Sequence, residues 1–420
     1  MATLGFNPTY KSWLLDNSTR YRYFLSTTRR RKKHDRSCIE FKMPSNTLGA
    51  LAGRIKSSPW CRWPCVAGHK KTFSVLAWPA TFMMRSSHST GVLMDTLAQR
   101  PPADEVRDLP HLPVPHIEFP WPSACFPEVD IIEHDTINWA DSHELLVSDG
   151  LRARVAKARY GWLAARCYPR AKHPLMQAIS NFMTWLFLVD DMFVDQSEIA
   201  SESPVPRLTA MLDVLDCDRI SDEPVYGEVA FMDVCRRFRE LLPAEHFARF
   251  ANGMRLWATA AGWQSLNPSG SHPIGMRAYQ AIRRHFSSAN PCLDLIDSAN
   301  AGPLPAAEYY LPAVQQLRLH INNMVCWSND IQSLAVEMAQ SGQCWNMVAI
   351  YAAQGHSLQE GIEHTARKVR SEITEFRKLE DTLGIPRSPE LRGYVIGMKD
   401  WVRGYLDWVE HDTKRYAIGA

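Results

Sequence analysis

The sequence predicts an all-α protein, and three observations carry that prediction. From about residue 138 onward, apolar residues recur at helical spacing over long stretches. Short breaks rich in Gly, Pro, Asn and Ser separate these stretches, for example NPSGSHP (267–273) and LGIPRSPE (383–390). No series of alternating apolar and polar runs indicates a β-sheet, and no glycine-rich phosphate loop is present. We therefore expect a bundle of helices.

The first hundred residues differ from the rest of the chain. They carry 17 Lys and Arg against 4 Asp and Glu, whereas the remaining residues carry 30 against 41. This composition, with RRRKK (29–33), is typical of an organelle transit peptide or a disordered basic arm. We favour a poorly ordered extension that takes no part in the chemistry, followed by a proline-dense linker (100–122). Residues 1–110 are therefore assigned to extension and linker, and residues 111–420 to a single helical domain.

Composition excludes several classes of protein. The formal net charge is +2, but the body is acidic, which argues against nucleic-acid binding. No apolar run approaches the roughly 18 residues that a membrane-spanning helix needs. The 10 cysteines form no disulfide framework, which favours a reducing compartment. We expect a cytoplasmic protein, with organelle targeting as the alternative, and the sequence leaves open whether it is a monomer or a homodimer.

The segment SNDIQSLAVE (328–337) places three oxygen-bearing side chains on one side of a helix. Asn329, Ser333 and Glu337 stand at i, i+4 and i+8, so they follow one face over successive turns. The neighbouring apolar residues form a buried stripe at helical spacing. The polar face is either solvated or a site for a hard cation such as Mg²⁺, which prefers oxygen ligands.

The segment NFMTWLFLVDDMFVDQ (181–196) is the second place where oxygen ligands meet an apolar surface. Asp190 shares a helical face with apolar residues, and Asp191 and Asp195 lie four apart on the adjacent face. A carboxylate aimed at an apolar interior is costly unless a cation or a donor meets it, although an acidic helix end in solvent is the alternative. Two such helices could hold Mg²⁺ ions that bind diphosphate and stabilise its departure.

Both segments resemble motifs of class I terpene synthases. DDMFVD (190–195) is similar to the aspartate-rich motif of that family. NDIQSLAVE (329–337) matches its Asn-Asp-x-x-Ser-x-x-x-Glu motif at every defining position. The resemblance covers about residues 115–420, in the microbial single-domain form.

Two further segments resemble the same family. Arg415 and Tyr416 are similar to its terminal Arg-Tyr pair. The segment AYQAIRRHFSSANPCLDLID (278–297) resembles the one that holds the diphosphate-sensing arginine of the family, with Arg283 as the best match and Arg284 as the alternative.

The resemblance implies a fold, an activity and a set of site residues. The fold would be the class I terpenoid synthase bundle with a central active-site cavity. The activity would be Mg²⁺-dependent ionisation and cyclisation of a prenyl diphosphate, most simply farnesyl diphosphate, to a sesquiterpene with release of diphosphate. Three Mg²⁺ ions would be held by Asp190, Asp191, Asn329, Ser333 and Glu337. The diphosphate would be bound, and the site closed, by Arg283, Arg415 and Tyr416.

A carbocation also needs a dry pocket with aromatic faces, whose quadrupole stabilises positive charge without reacting. Ordinary core packing is the alternative for each aromatic residue. The candidates near the two motifs or on a C-terminal helical stripe are Trp185, Phe187, Trp327, Trp345, Tyr394, Trp401, Tyr405 and Trp408.

Departures from the family pattern keep other functions open. Asp195 comes one residue late, Val336 replaces a usual Lys or Arg, and Phe286 and Ser288 replace a usual Thr and Gly. These differences leave a non-catalytic remnant as one alternative, and a cyclase for a C10 or C20 substrate as another. A metal-dependent helical phosphohydrolase built on His-Asp pairs is a distant third. A chain-elongating prenyltransferase would carry a second aspartate-rich motif, which the sequence lacks.

Overall fold

The computed structural model describes residues 112–192, 204–265, 274–339, 345–384 and 388–416. The all-α prediction is confirmed, because every regular element in these parts of the chain is helical. The predicted basic extension lies outside the described residues. No helix in the described ranges is long and apolar enough to cross a membrane. In chain order the helices are α1 (Val129–Ser142), α2 (Asp149–Ala158), α3 (Tyr160–Cys167), α4 (His173–Asp190), α5 (Val205–Cys217), α6 (Glu228–Leu241), α7 (Ala244–Ser265), α8 (Met276–Phe286), α9 (Ala289–Leu293), α10 (Ala306–Tyr309), α11 (Pro312–Ala339), α12 (Met347–Ala352), α13 (Leu358–Leu383) and α14 (Pro389–Asp407), and a π-helical turn (Trp408–Asp412) follows.

Helix α4 runs through the core and delivers the aspartate-rich motif at its C-terminal end. It is apolar on almost every face, and it packs against α1, α3 and α6. Trp185 is fully buried, stacks on Phe231 with ring centroids 4.2 Å apart, and donates its indole N–H to the Gly227 carbonyl at 2.8 Å. Because nearly all of α4 is buried, its terminal Asp190 is directed towards the interior of the bundle.

Helix α11 is amphipathic, and its two faces have different partners. Its apolar stripe, including Ile331 and Leu334, packs against α12 and α13. Helix α13 is well specified at both ends: it begins with a capping box between Ser357 and Glu360 and stops at Gly384, whose φ of 67° suits glycine. This packing turns the opposite, polar face of α11 towards the centre of the bundle.

The segment after α14 folds back over the junction of α2 and α3. Gly404 allows α14 to pack close against α3, because a Cβ there would come within 2.3 Å of the Arg166 carbonyl oxygen of α3. The Trp408 indole donates to the Ala158 carbonyl at 3.0 Å, and the Lys414 N–H donates to the Lys157 carbonyl at 3.0 Å. These contacts fix the position of the two residues that follow Lys414.

The proline-dense stretch reaches into the described residues, and there it contacts α13. The Pro113 carbonyl accepts a hydrogen bond from Gln359, and the His116 carbonyl accepts one from Arg370. Trp121 packs edge-on against Phe376 with ring centroids 5.4 Å apart. Residues 112–121 therefore lie along the surface of the helical body.

Candidate active site

A cavity of about 640 Å³ opens between α4, α8, α11 and α14. Its wall includes all eight residues that the sequence analysis singled out, although they come from four separate parts of the chain. Two of them end α4 or follow it, one is on α8, three are on α11 and two follow the π-helical turn. They are Asp190, Asp191, Arg283, Asn329, Ser333, Glu337, Arg415 and Tyr416.

The three polar residues of α11 form a connected row along the cavity. The Ser333 hydroxyl donates to the Asn329 carbonyl at 2.7 Å, one turn earlier. One oxygen of the Glu337 carboxylate accepts a hydrogen bond from Asn346 Nδ2 at 3.0 Å. Burial raises the pKa of Glu337, and the nearby positive charge of Arg283 partly offsets that effect. The row therefore presents amide, hydroxyl and carboxylate oxygens, which is a donor set suited to a hard divalent cation.

Arg283 is held against this row by a buried ion pair. Its Nε donates to Asp330 at 3.0 Å, and its Nη2 donates to Asn329 Oδ1 at 2.6 Å. Asp330 is fully buried and also accepts from the Tyr279 hydroxyl at 2.6 Å and the Met347 N–H at 3.1 Å. Burial opposes the charge of Arg283, but Asp330 together with other nearby groups outweighs burial, so the pKa of the guanidinium lies well above its ordinary value. Arg283 therefore stays cationic at the cavity wall.

The structure separates Arg283 from Arg284, which the sequence could not do. Arg284 donates to Asn323 Oδ1 at 3.0 Å and lines a different cavity on the other side of α8. Of the two arginines, only Arg283 lines the cavity that contains the oxygen donors. The best match from the sequence is therefore the one in position to meet an anion there.

The residues after the π-helical turn connect the two motif helices. Arg415 donates to both carboxylate oxygens of Asp191, at 2.9 and 2.5 Å, and to the Tyr160 hydroxyl at 2.7 Å. The Tyr416 hydroxyl accepts a hydrogen bond from Asn329 Nδ2 at 2.9 Å. Burial disfavours the charge of Arg415, but Tyr160 and Asp191 raise its pKa well above the ordinary value. This segment thus lies at the cavity wall, where it contacts both Asp191 and Asn329.

The aromatic candidates divide into two groups. Phe187, Trp345, Trp401 and Tyr405 line the cavity, as does Phe286. The other four are core residues instead: Trp185 and Trp408 are completely buried, and Trp327 and Tyr394 are at most 4% exposed without being part of this wall. For these four, the alternative of ordinary core packing applies, because their indole and phenol rings fill spaces between helices.

Three departures from the family pattern can also be located. Val336, Phe286 and Ser288 all line the cavity. Ser288 has a φ of 58°, a left-handed conformation that is unusual for a residue other than glycine, and it forms the break between α8 and α9. Asp195 lies outside the described residues.

Sequence reasoning missed several residues that shape the site. Tyr279 lies one turn before Arg283 on α8, so helical spacing alone could have suggested it. Asp330 stood inside the recognised motif without an assigned role. Tyr160 and Asn346 gave no local signal, since their contacts are with residues far away in sequence or across a break between helices.

Comparison with known proteins shows to which family the chain belongs. The family model described as terpene synthase family 2, C-terminal metal binding, matches residues 181–375. A sesquiterpene synthase of Metarhizium brunneum (strain ARSEF 3297) is 54% identical over 305 residues, which cover 73% of this chain and 89% of that protein. The chain belongs to the terpene synthase family. The recognition from sequence is therefore confirmed.

Other terpene synthases extend the comparison. A (+)-corvol ether B/(+)-corvol ether A synthase of Kitasatospora setae, named as cyclising (2E,6E)-farnesyl diphosphate, is 51% identical over 304 residues and is covered to 95%. The linalool/nerolidol synthase of Streptomyces clavuligerus, solved with 2-fluorogeranyl diphosphate, aligns with a TM-score of 0.61 at 18% identity, over 72% of this chain and all of that one. At 18% identity the comparison with the linalool/nerolidol synthase shows the fold alone, and it confirms the predicted helical bundle.

Proposed function

We propose that this terpene synthase ionises and cyclises farnesyl diphosphate to a sesquiterpene and releases diphosphate. The observation that carries the proposal is one shared cavity. It is lined by the aspartates at the end of α4, by the oxygen donors of α11, and by three side chains that could bind an anion. Its volume of about 640 Å³ lies within the range of about 300–1,000 Å³ typical of small-molecule sites. Relatives named as farnesyl diphosphate cyclases support this substrate over the C10 and C20 alternatives.

Five oxygen-donating residues would hold the metal: Asp190, Asn329, Ser333 and Glu337, and also Asp191. We propose that they bind three Mg²⁺ ions, as the resemblance implies. Bound Mg²⁺ would neutralise the diphosphate and stabilise it as a leaving group. Asp191 is the fifth residue proposed as a ligand. Both of its oxygens accept from Arg415, and each oxygen keeps a further lone pair that could face a cation.

Arg283, Arg415 and Tyr416 would bind the diphosphate. Each guanidinium offers a planar pair of N–H donors that fits phosphate oxygens. In the structure these donors contact the amide oxygen of Asn329 and the carboxylate of Asp191, which are proposed metal ligands. When cations occupy those oxygens, both guanidinium groups would be released towards the anion. The same residues would thus bind the leaving group and close the cavity over it.

The remaining wall would control the carbocation. Phe187, Phe286, Trp345 and Trp401 present aromatic faces next to the proposed diphosphate site. Val336 stands where the family usually has a cationic side chain, so one donor to diphosphate is missing there. Exclusion of water would strengthen the electrostatic contacts and protect the cation from capture.

We place the enzyme in the cytoplasm, in keeping with the free cysteines among the described residues.

The decisive experiment is incubation of the purified protein with C10, C15 and C20 prenyl diphosphates and Mg²⁺. Volatile products would be identified by mass spectrometry, and released diphosphate measured in parallel. We expect a cyclic C15 hydrocarbon or alcohol from farnesyl diphosphate, and no product with EDTA. Release of phosphate or diphosphate with only the unrearranged primary prenyl alcohol as product would indicate a phosphohydrolase, and no release from any substrate would indicate a non-catalytic remnant.

A further inference from the structure

We infer that Asn346 is a positioning residue that sets the Glu337 carboxylate for the cation. This inference rests on the proposed function, in which Glu337 is a metal ligand. Asn346 is completely buried at the N-cap of α12, across a break in the described residues from Glu337. Its Nδ2 donates to Glu337 Oε2 at 3.0 Å and to the Asp330 carbonyl at 2.7 Å.

The chemistry of the neighbours fixes the orientation of the Asn346 amide. Its Oδ1 accepts from the Val348 N–H at 2.9 Å, as an N-cap residue does. Its Nδ2 faces a carbonyl and a carboxylate, both of which only accept. Rotating the amide by 180° would oppose acceptor to acceptor and donor to donor at all three contacts. The donor that meets Glu337 is therefore permanent.

A neutral donor suits this position better than a charged one. A free glutamate side chain loses rotamer entropy when it becomes fixed, and that loss weakens cation binding. Asn346 fixes one carboxylate oxygen before a cation arrives, and it leaves the negative charge in place for that cation. Hydrogen bonds that orient metal ligands are typically worth about 10- to 100-fold in metal affinity.

The same short segment also reaches the anion-binding side of the cavity. The Met347 N–H donates to the carboxylate of Asp330, which holds Arg283. Asn346 and Met347 together therefore bind both ends of Asp330, the carbonyl and the side chain. Through this segment the Glu337 carboxylate and the Arg283 guanidinium are held at fixed positions relative to each other.

The test is the variant Asn346→Ser, which retains an N-cap acceptor for Val348 but is too short to reach Glu337. Mn²⁺ binding would be followed by the loss of the free-ion EPR signal, with neither prenyl substrate nor diphosphate present, because free diphosphate itself binds Mn²⁺. We expect Mn²⁺ affinity to fall about tenfold or more. The Mg²⁺ concentration for half-maximal turnover should rise by a similar factor, and excess Mg²⁺ should restore the rate.

The matched control is Asn322→Ser. Asn322 is 1% exposed, and its Nδ2 also makes two hydrogen bonds, to the Arg284 carbonyl at 2.8 Å and to Asn290 at 2.9 Å. This control should lose comparable thermal stability and keep wild-type Mn²⁺ affinity. Equal loss of Mn²⁺ affinity in both variants would overturn the inference, because general loosening would then explain it.

A second comparison separates this inference from the proposed function. In a Glu337→Gln background, adding Asn346→Ser should weaken Mn²⁺ binding no further, since the carboxylate it orients is gone. If Glu337→Gln itself leaves Mn²⁺ affinity unchanged, the proposed metal site is wrong. If Glu337→Gln weakens binding but Asn346→Ser does not, only the inference about Asn346 is wrong. Should Asn346→Ser fail to fold, Asn346→Thr has the same cap and fills more of the space.

Discussion

Arg415→Lys tests the role of the ordered segment after α14 most directly. The guanidinium makes two hydrogen bonds to Asp191, at 2.9 and 2.5 Å, and one to the Tyr160 hydroxyl at 2.7 Å. Its central carbon also lies 5.0 Å from the centre of the Phe187 ring. Lysine keeps the positive charge, but its single ammonium cannot reproduce a planar fork that meets both oxygens of a carboxylate.

The expected losses of stability and of kcat/KM follow from the hydrogen bonds that lysine cannot make. A hydrogen bond to a charged group contributes about 1.5–3 kcal/mol when buried, and partly exposed pairs contribute less. The Arg415 and Asp191 side chains are 22% and 26% exposed, so we take the lower end and expect a loss of about 1–2 kcal/mol in the free energy of unfolding. If the same fork binds diphosphate in the transition state, kcat/KM should fall roughly 5- to 30-fold. Water entering the loosened cavity should raise the hydroxylated fraction of the products.

The assay combines urea unfolding, steady-state kinetics and product analysis on one preparation. Arg403→Lys is the control, because Arg403 also pairs with an aspartate, Asp407, at 2.5 Å, but does not line the cavity. The control should lose stability and keep wild-type kcat/KM and products. If Arg415→Lys also keeps them, its guanidinium serves stability alone and the proposed contact with diphosphate is refuted.

Three further predictions concern other parts of the chain. Glu337→Gln should retain the fold and lower turnover at least a hundredfold at low Mg²⁺, whereas wild-type rates there would remove Glu337 from the metal site. Burial raises the pKa of Glu133 from 4.5 to about 7, so the folded protein keeps a proton that the unfolded chain loses, and stability should fall by about 3 kcal/mol as the pH rises through that interval. Glu133→Gln still accepts from the Gly161 N–H and should flatten that decline in urea titrations at pH 5 and pH 8. A chain that starts at Pro110 should fold and turn over normally, because it keeps the contacts of residues 112–121 with α13; an insoluble product would place the domain boundary earlier.

The helices and the oxygen donors could be predicted because local spacing specifies them. In α11 the polar residues and the apolar stripe have the same helical period but lie on different faces, so Asn329 and Glu337 could be placed on one face from the sequence alone. In α4 that argument fails, since the helix is apolar all round. Spacing could not tell that Phe187 faces the cavity while Trp185 faces α6.

Residues that act through long-range contacts were beyond the reach of sequence patterns. Adjacent Arg283 and Arg284 have the same local signals, and only the packing of α8 between α7 and α11 directs them to different cavities. Tyr160 meets Arg415 only because the chain returns to the junction of α2 and α3 after α14. The contact of Asn346 with Glu337 likewise depends on how α12 packs beside α11.

The pairing of Asp191 with Arg415 has a kinetic consequence. The two residues are 224 positions apart in sequence, and Tyr160 and Arg415 are 255 apart. Contacts of such long range form late in folding, because closing the intervening loop costs entropy before the contact contributes any favourable free energy. During refolding, helical circular dichroism should therefore recover earlier than catalytic turnover. A far-ultraviolet spectrum alone is consequently a poor control for variants of this segment, since a chain with all its helices formed can still lack the site.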